Sequence, residues 1–170
     1  ERWIHANDAH RVEQPDRINT AAQWYLDGAF AALPHADFDP ASHVMPASQP
    51  TRLLHDGDVI DLGDRQFRVC HLPGVTSGAS ALFEDGTGVL FTGETLVWDG
   101  DFVYDGEPVE RTNDADREAF RTSMERLLAL PATAVYPGHF GRGDLAAMRH
   151  AIQGYLTGVN ASKGENTYAT

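Results

Sequence analysis

Two strand-like runs that end in glycine-containing loops constrain this chain most strongly. The run at residues 68–72 stops at Pro73-Gly74, and the run at residues 88–92 stops at Gly93. Proline and glycine end regular structure, and loops held at strand ends are common places for functional side chains. The sequence therefore predicts candidate site residues just after each of these strands.

Short apolar runs and turn dipeptides predict a sheet in the middle of the chain. Residues 52–91 contain about four strand-like runs, separated by turns such as Asp56-Gly57 and Asp85-Gly86 that favour antiparallel hairpins. One more hairpin is predicted over residues 97–104, near Glu94, and a brief strand over residues 132–136 leads into Pro137-Gly138-His139.

Helical spacing of apolar residues predicts three helices around this sheet. The first covers about residues 19–33 behind an Asn19 cap, and the second covers about residues 115–130 behind cap residues at 112–114. The third is capped by Asp144. Residues 34–50 contain four prolines and little periodicity, so they are predicted to be a loop.

The composition limits the partners and the compartment. A chain of 170 residues with 42% hydrophobic content predicts one globular domain, residues 1–170. The formal net charge of -12 disfavours nucleic acid and anionic membrane surfaces, which leaves small molecules or proteins. No run is long and apolar enough to span a bilayer. The single cysteine, Cys70, fits a reducing compartment, so a cytoplasmic location is expected.

Four segments in a fixed order carry a resemblance to a known family. They are Pro-Gly-Val-Thr-Ser-Gly at 73–78, Leu-Phe-Thr-Gly-Glu at 90–94, Ser-Met-Glu-Arg-Leu at 123–127 and Tyr-Pro-Gly-His at 136–139. This order resembles the metallo-β-lactamase-fold superfamily, closely over residues 51–142. The resemblance implies an α+β fold, an αββα sandwich. Mainly its second half is expected here, as one mostly antiparallel sheet with covering helices.

The resemblance also implies a metal site, but only part of the ligand set is present. His139 stands where the family keeps a metal ligand, and Glu94 stands where the family has a bridging aspartate. Val75 replaces a histidine ligand, and the family motif His-x-His-x-Asp-His is absent from the chain. Glu94 and His139 are therefore the predicted metal ligands, and they could hold at most one zinc ion.

The remaining histidines and the cysteine have simpler interpretations. His5 and His10 are not spaced like the family motif, and isolated histidines are more often surface or core residues than ligands. His71 is interpreted as an ordinary strand residue. Cys70 points to the opposite face of that strand and is interpreted as a small core residue.

Two function hypotheses stay open. The first is a hydrolase with a degenerate or mononuclear metal site, acting on a small-molecule ester, thioester or amide, with Thr76, Ser77 and Trp98 contacting the substrate. The second is a family member without metal, which serves as a binding or interaction module or as an acid–base enzyme. In that case Glu94 is the catalytic acid or base.

A single sheet with its helices on one side leaves an apolar face in need of a partner. The face could pack against a missing N-terminal half of the fold, against a separate chain, or against a second copy in a homodimer. A two-fold dimer is the commonest assembly, whereas the start of the chain in the middle of an element favours a fragment. The sequence leaves these alternatives open.

Overall fold

A computed structural model describes residues 1–20, 22, 31–96, 116–139 and 145–158, together with the backbone of residues 98–99 and 102–103. The strands are β1 (Trp3–His5), β2 (Arg52–Leu54), β3 (Val59–Asp61), β4 (Gln66–His71), β5 (Ser80–Glu84), β6 (Val89–Gly93), β7 (Trp98–Asp99), β8 (Phe102–Val103) and β9 (Ala134–Pro137). The helices are a 3₁₀ turn (Ala6–Asp8), α1 (Ala9–Glu13), α2 (Arg117–Ala129) and α3 (Leu145–Thr157).

A five-stranded sheet in the order β3-β4-β5-β6-β9 forms the centre of the fold. The strands β3 to β6 pair antiparallel with their neighbours in sequence, as the Asp-Gly turns predict. The strand β9 joins β6 in parallel after the chain has passed through α2. The predicted hairpin over residues 97–104 is confirmed by the antiparallel pair β7 and β8.

The prediction that all strands of residues 52–91 pair antiparallel is wrong for β2. It pairs in parallel with β1, through Trp3↔Arg52 and Ile4↔Leu53, and takes no part in the five-stranded sheet. Its partner lies near the start of the chain, and a three-residue strand carries no signal that could reveal so distant a pairing.

Two of the three predicted helices are confirmed. Helix α2 begins at Arg117, and its N-cap is Asp116, whose Oδ1 accepts hydrogen bonds from Glu118 N and Ala119 N at 2.8 and 3.0 Å. The start is two residues later than predicted, and the proposed cap residues 112–114 lie outside the described residues, as do Asp144 and most of the predicted helix over residues 19–33. Within the described ranges no helix has the length and hydropathy to cross a bilayer.

The hydrophobic core lies between one face of the sheet and the two long helices. Register places Cys70, Ala81, Phe83, Leu90 and Val135 on this face, because residues directly opposite on paired strands share a face. All five are at most 1% exposed and pack with Phe120, Met124 and Leu127 of α2 and Met148, Ala151 and Ile152 of α3. The prediction that Cys70 is a core residue is confirmed.

The opposite face of the sheet carries a row of aromatic side chains. Phe67 packs edge-on against Phe91 with 5.8 Å between ring centroids, and Phe91 stacks on Tyr136 at 5.2 Å. Phe91 lies on the interior strand β6, yet it is 39% exposed. An interior strand normally has both faces covered when both are apolar, so this face is an incompletely buried apolar surface.

Candidate active site

The loops after β6 and β9 bring Glu94 and His139 together at one edge of the sheet. Because β6 and β9 are parallel, they end at the same edge, with Gly93 opposite Pro137. The Gly138 amide donates a hydrogen bond to Gly93 O at 3.0 Å. A Cβ on Gly138 would lie 2.9 Å from the Gly93 carbonyl carbon, so only glycine permits this approach.

The Glu94 and His139 side chains are hydrogen-bonded and accessible. His139 Nε2 lies 2.5 Å from Glu94 Oε1, and the two side chains are 54% and 64% exposed. A carboxylate only accepts, so His139 donates from Nε2. The backbone below Glu94 is well held, since Thr95 N donates to Thr92 O at 3.1 Å and the Thr92 hydroxyl donates to Leu96 O at 3.2 Å. This hydrogen-bonded backbone segment therefore presents an imidazole–carboxylate pair to solvent.

The donor set of the described residues does not fit a complete zinc site. Zinc in proteins takes three or four nitrogen, sulfur or oxygen ligands, whereas Glu94 and His139 supply two. The part of the chain that the structure describes contains no group of three or more His, Cys, Asp or Glu side chains able to hold a metal ion. Val75 is partly buried and packs against the core between the sheet and the helices, so its side chain serves packing there.

The loop at residues 74–78 is fastened to the start of the chain through Asp8. The Asp8 carboxylate accepts hydrogen bonds from the Thr76 hydroxyl at 2.6 Å, from Gly78 N at 2.9 Å and from Arg11 Nε at 3.1 Å. The Ser77 hydroxyl donates to Asn7 O at 3.3 Å. Thr76 and Ser77, which the sequence suggests as substrate contacts, thus direct their hydroxyls to this turn.

Asp8 is the organising residue that the sequence reasoning missed. Its side chain is only 14% exposed, and a Cβ on Gly78 would lie 2.6 Å from its Cγ. Asp8 and Gly78 are 70 residues apart, so no local pattern connects them. The glycine at 78 is the local sign that another group approaches this part of the loop closely.

The other end of this loop packs on helix α2. Gly74 has φ +140°, and a Cβ there would lie 2.4 Å from Phe120 Cα. Gly74 O accepts a hydrogen bond from Asp116 N at 2.9 Å, and Pro73 O accepts one from the Ser123 hydroxyl at 2.7 Å. The Pro-Gly signature therefore joins the sheet to the helix, and the loop is held at both ends.

Other charged and aromatic candidates lie apart from the pair or outside the described side chains. A cleft at the β3–β4 and β5–β6 turns is lined by Arg65, Arg68, Glu84 and Asp85, and neither Glu94 nor His139 lines it. Arg65 pairs with Glu84 at 2.5 Å and Arg68 with Asp85 at 2.7 Å, so both arginines of the cleft are engaged in ion pairs. The backbone of Trp98 forms β7, but its side chain lies outside the described part of the chain.

The fold and these motifs agree with what similar proteins show. Residues 5–139 match the family model of the metallo-beta-lactamase superfamily, so the chain belongs to that superfamily. The crystal structure of a metallo-beta-lactamase family protein from Thermus thermophilus superposes with a TM-score of 0.63 at 22% identity, over 95% of this chain and 53% of that one. The α+β sandwich class predicted from the sequence is confirmed.

Two of the curated relatives carry the names of hydrolytic enzymes. Acyl-coenzyme A thioesterase MBLAC2 of Homo sapiens is 29% identical over 170 residues, which is 98% of this chain and 58% of the relative. Hydroxyacylglutathione hydrolase of Vibrio cholerae is 36% identical over 118 residues, which is 66% of this chain and 42% of the relative. The chain spans about half the length of these curated relatives.

Proposed function

We propose that this chain carries a hydrolytic site for small acyl thioesters, in which Glu94 and His139 act as an acid–base pair. The observation that carries the proposal is the hydrogen bond of 2.5 Å between two accessible side chains on adjacent, well-held loops. The thioester class rests on the relatives, one of which is named as an acyl-coenzyme A thioesterase and another as a hydroxyacylglutathione hydrolase.

The roles follow from the hydrogen bond between the two side chains. Glu94 accepts a hydrogen bond from the Nε2–H group of His139. The neutral imidazole is thereby held in the tautomer whose basic nitrogen is Nδ1. Nδ1 takes a proton from a water molecule, whose oxygen attacks the thioester carbonyl carbon. The carbon–sulfur bond then breaks, and the protonated imidazole returns the proton to the departing thiolate.

Hydrolysis of an acyl-coenzyme A substrate, followed by a thiol-reactive dye, tests the proposal. We expect His139→Gln and Glu94→Gln to lower kcat/KM by on the order of 10²- to 10⁴-fold, which is the usual contribution of a general acid or base. The matched controls are Glu125→Gln on α2 and His150→Asn on α3, both exposed, which should leave the rate unchanged. A wild-type chain that releases no thiol, or variants as active as the wild type, would refute the assignment.

The second candidate is a single zinc ion held by Glu94 and His139, with further ligands from beyond the described residues. It is favoured by the proximity of two side chains of metal-ligating type, since His139 Nε2 and Glu94 Oε1 lie 2.5 Å apart. Metal analysis of the purified chain separates the two. Stoichiometric zinc, with activity lost on chelation and restored by zinc, selects the metal, whereas activity that survives chelation in a metal-free sample selects the acid–base pair.

We also propose that the aromatic face of the sheet packs against the N-terminal half of the family fold. The support is the exposure of Phe91 on an interior strand, together with the greater length of the relatives. The chain alone should then sediment as a monomer and bind a hydrophobic dye. The substitution Phe91→Glu should weaken that dye binding. A stable dimer that Phe91→Glu dissociates would instead identify a second copy as the occupant.

We also propose a reducing, cytoplasmic setting for the chain. This proposal rests on the free, buried thiol of Cys70.

A further inference from the structure

Two stacked histidines connect the start of the chain to the main sheet. The His5 and His71 rings lie 4.1 Å apart and 12° from parallel. His5 is only 8% exposed, and its Nδ1 accepts a hydrogen bond from Asn7 N at 3.3 Å, which caps the 3₁₀ turn. Because an amide N–H is a donor, Nδ1 of His5 carries no proton in this arrangement.

The second ring of the stack holds the loop at residues 76–78. His71 Nε2 lies 2.8 Å from Ser77 O, and a carbonyl oxygen only accepts, so His71 donates from Nε2. The same carbonyl accepts a hydrogen bond from Asn7 Nδ2 at 3.1 Å. The capped turn and the loop are therefore joined through Asn7, through the histidine stack and through the Asp8 carboxylate.

We propose that protonation of His5 under mildly acidic conditions releases residues 76–78 from the turn formed by Asn7 and Asp8. A proton on Nδ1 would face the Asn7 N–H, two donors without an acceptor, and the cap would be lost. The new charge would also lie against the imidazole of His71. Since the turn carries the loop's hydrogen bonds to Asn7 and Asp8, losing the cap frees the loop. This device is independent of the reaction assigned to Glu94 and His139.

The groups that face His5 have opposing effects. Burial and then the neighbouring His71 lower the pKa of His5 below its usual value of 6.5, and His55 lowers it further, whereas Asp8 and Asp56 raise it. The net direction is downward. The Asp56 carboxylate is itself engaged by Arg126, at 2.8 and 2.9 Å, which reduces its ability to stabilise a cation on His5.

The sign of the pH dependence follows from this lowered pKa. Well above the usual value of 6.5, His5 is neutral in both the docked and the released state, and docking is unaffected by pH. As the pH falls below 6.5, the released state binds a proton first, and docking weakens until the lower pKa of the docked state is reached. One proton changes the docking equilibrium by at most about tenfold per pH unit.

Amide hydrogen exchange of the complete chain tests the proposal directly. The Gly78 amide, which donates to Asp8, should lose protection by several-fold between pH 7.5 and 5.5 once intrinsic exchange is corrected for, while amides of the central strand β5 stay protected. In His5→Asn the amide oxygen can cap the turn without titrating, so the loss should disappear. His150→Asn on α3 is the matched control and should behave as wild type. The same pH-dependent loss in His5→Asn would overturn the proposal.

A second measurement needs no variant, in case His5→Asn fails to fold. In a proton NMR titration of the wild-type chain, the His5 ring resonance and the Gly78 amide resonance should move with one shared midpoint below 6.5. Two different midpoints, or a Gly78 resonance that does not move, would show that His5 does not control the loop.

Discussion

Replacing Gly74 with alanine tests whether the Pro-Gly signature serves the fold or the chemistry. At φ +140° a side chain is strained, and its Cβ would lie 2.4 to 2.6 Å from the backbone N and Cα and the Cβ of Phe120. Residues in disfavoured backbone regions cost about 1–3 kcal/mol, and overpacking against atoms that cannot move aside costs about 1–3 kcal/mol more. We expect Gly74→Ala to lower the free energy of unfolding by roughly 2–6 kcal/mol.

Two other glycines separate the contributions to this cost. Gly57 has φ +83° but nothing within 4 Å of its Cβ position, so Gly57→Ala carries strain alone. Gly86 has neither a positive φ nor a neighbour within 4 Å, and Gly86→Ala should be neutral or stabilise by about 0.4–1 kcal/mol. Urea unfolding followed by circular dichroism measures all three. If Gly74→Ala cost no more than Gly57→Ala, the packing of this loop on helix α2 would not be the reason for the glycine.

Three further predictions concern the scaffold. Asp116→Ala removes the acceptor for two amides at the start of α2 and should cost about 0.5–2 kcal/mol in a urea unfolding experiment, with Glu118→Ala as a neighbour that removes no cap. Met124→Ala empties a fully buried position and should cost about 2–5 kcal/mol, against a change below about 0.5 kcal/mol for the exposed Glu125→Ala. The hydrogen bonds from Arg65 and Thr87 lower the pKa of Glu84 below its usual value of 4.5, so their stabilisation is present above pH 4.5 and is lost as the pH falls through the lowered value. Thermal unfolding from pH 6 to pH 3 should show a smaller acid loss in Glu84→Gln than in wild type, and an equal loss would contradict this account.

The elements that local chemistry defines could be predicted from the sequence. Turn dipeptides and alternating apolar residues place β3 to β6, and apolar spacing places α2 and α3, because these signals act over a few residues. The parallel pairing of β1 with β2 was missed, since three-residue strands nearly 50 residues apart carry no shared pattern. The site divides in the same way. Glu94 and His139 were found through the motifs that contain them, whereas Asp8 and the His5–His71 stack exist only through contacts between distant segments.

The parallel pairing of β6 with β9 has a consequence for how the protein folds. The strands β3 to β6 are successive in sequence and can assemble as a meander. The strand β9 can pair with β6 only when the long segment between them, which contains α2, has folded back onto the sheet. Non-local parallel pairings form slowly because the loop entropy is lost before the contacts are gained. Glu94 and His139 stand on the two sides of this final junction, so their hydrogen bond should be among the last interactions to form during refolding. An intermediate with a complete meander would therefore have most of the sheet but would lack the Glu94–His139 hydrogen bond.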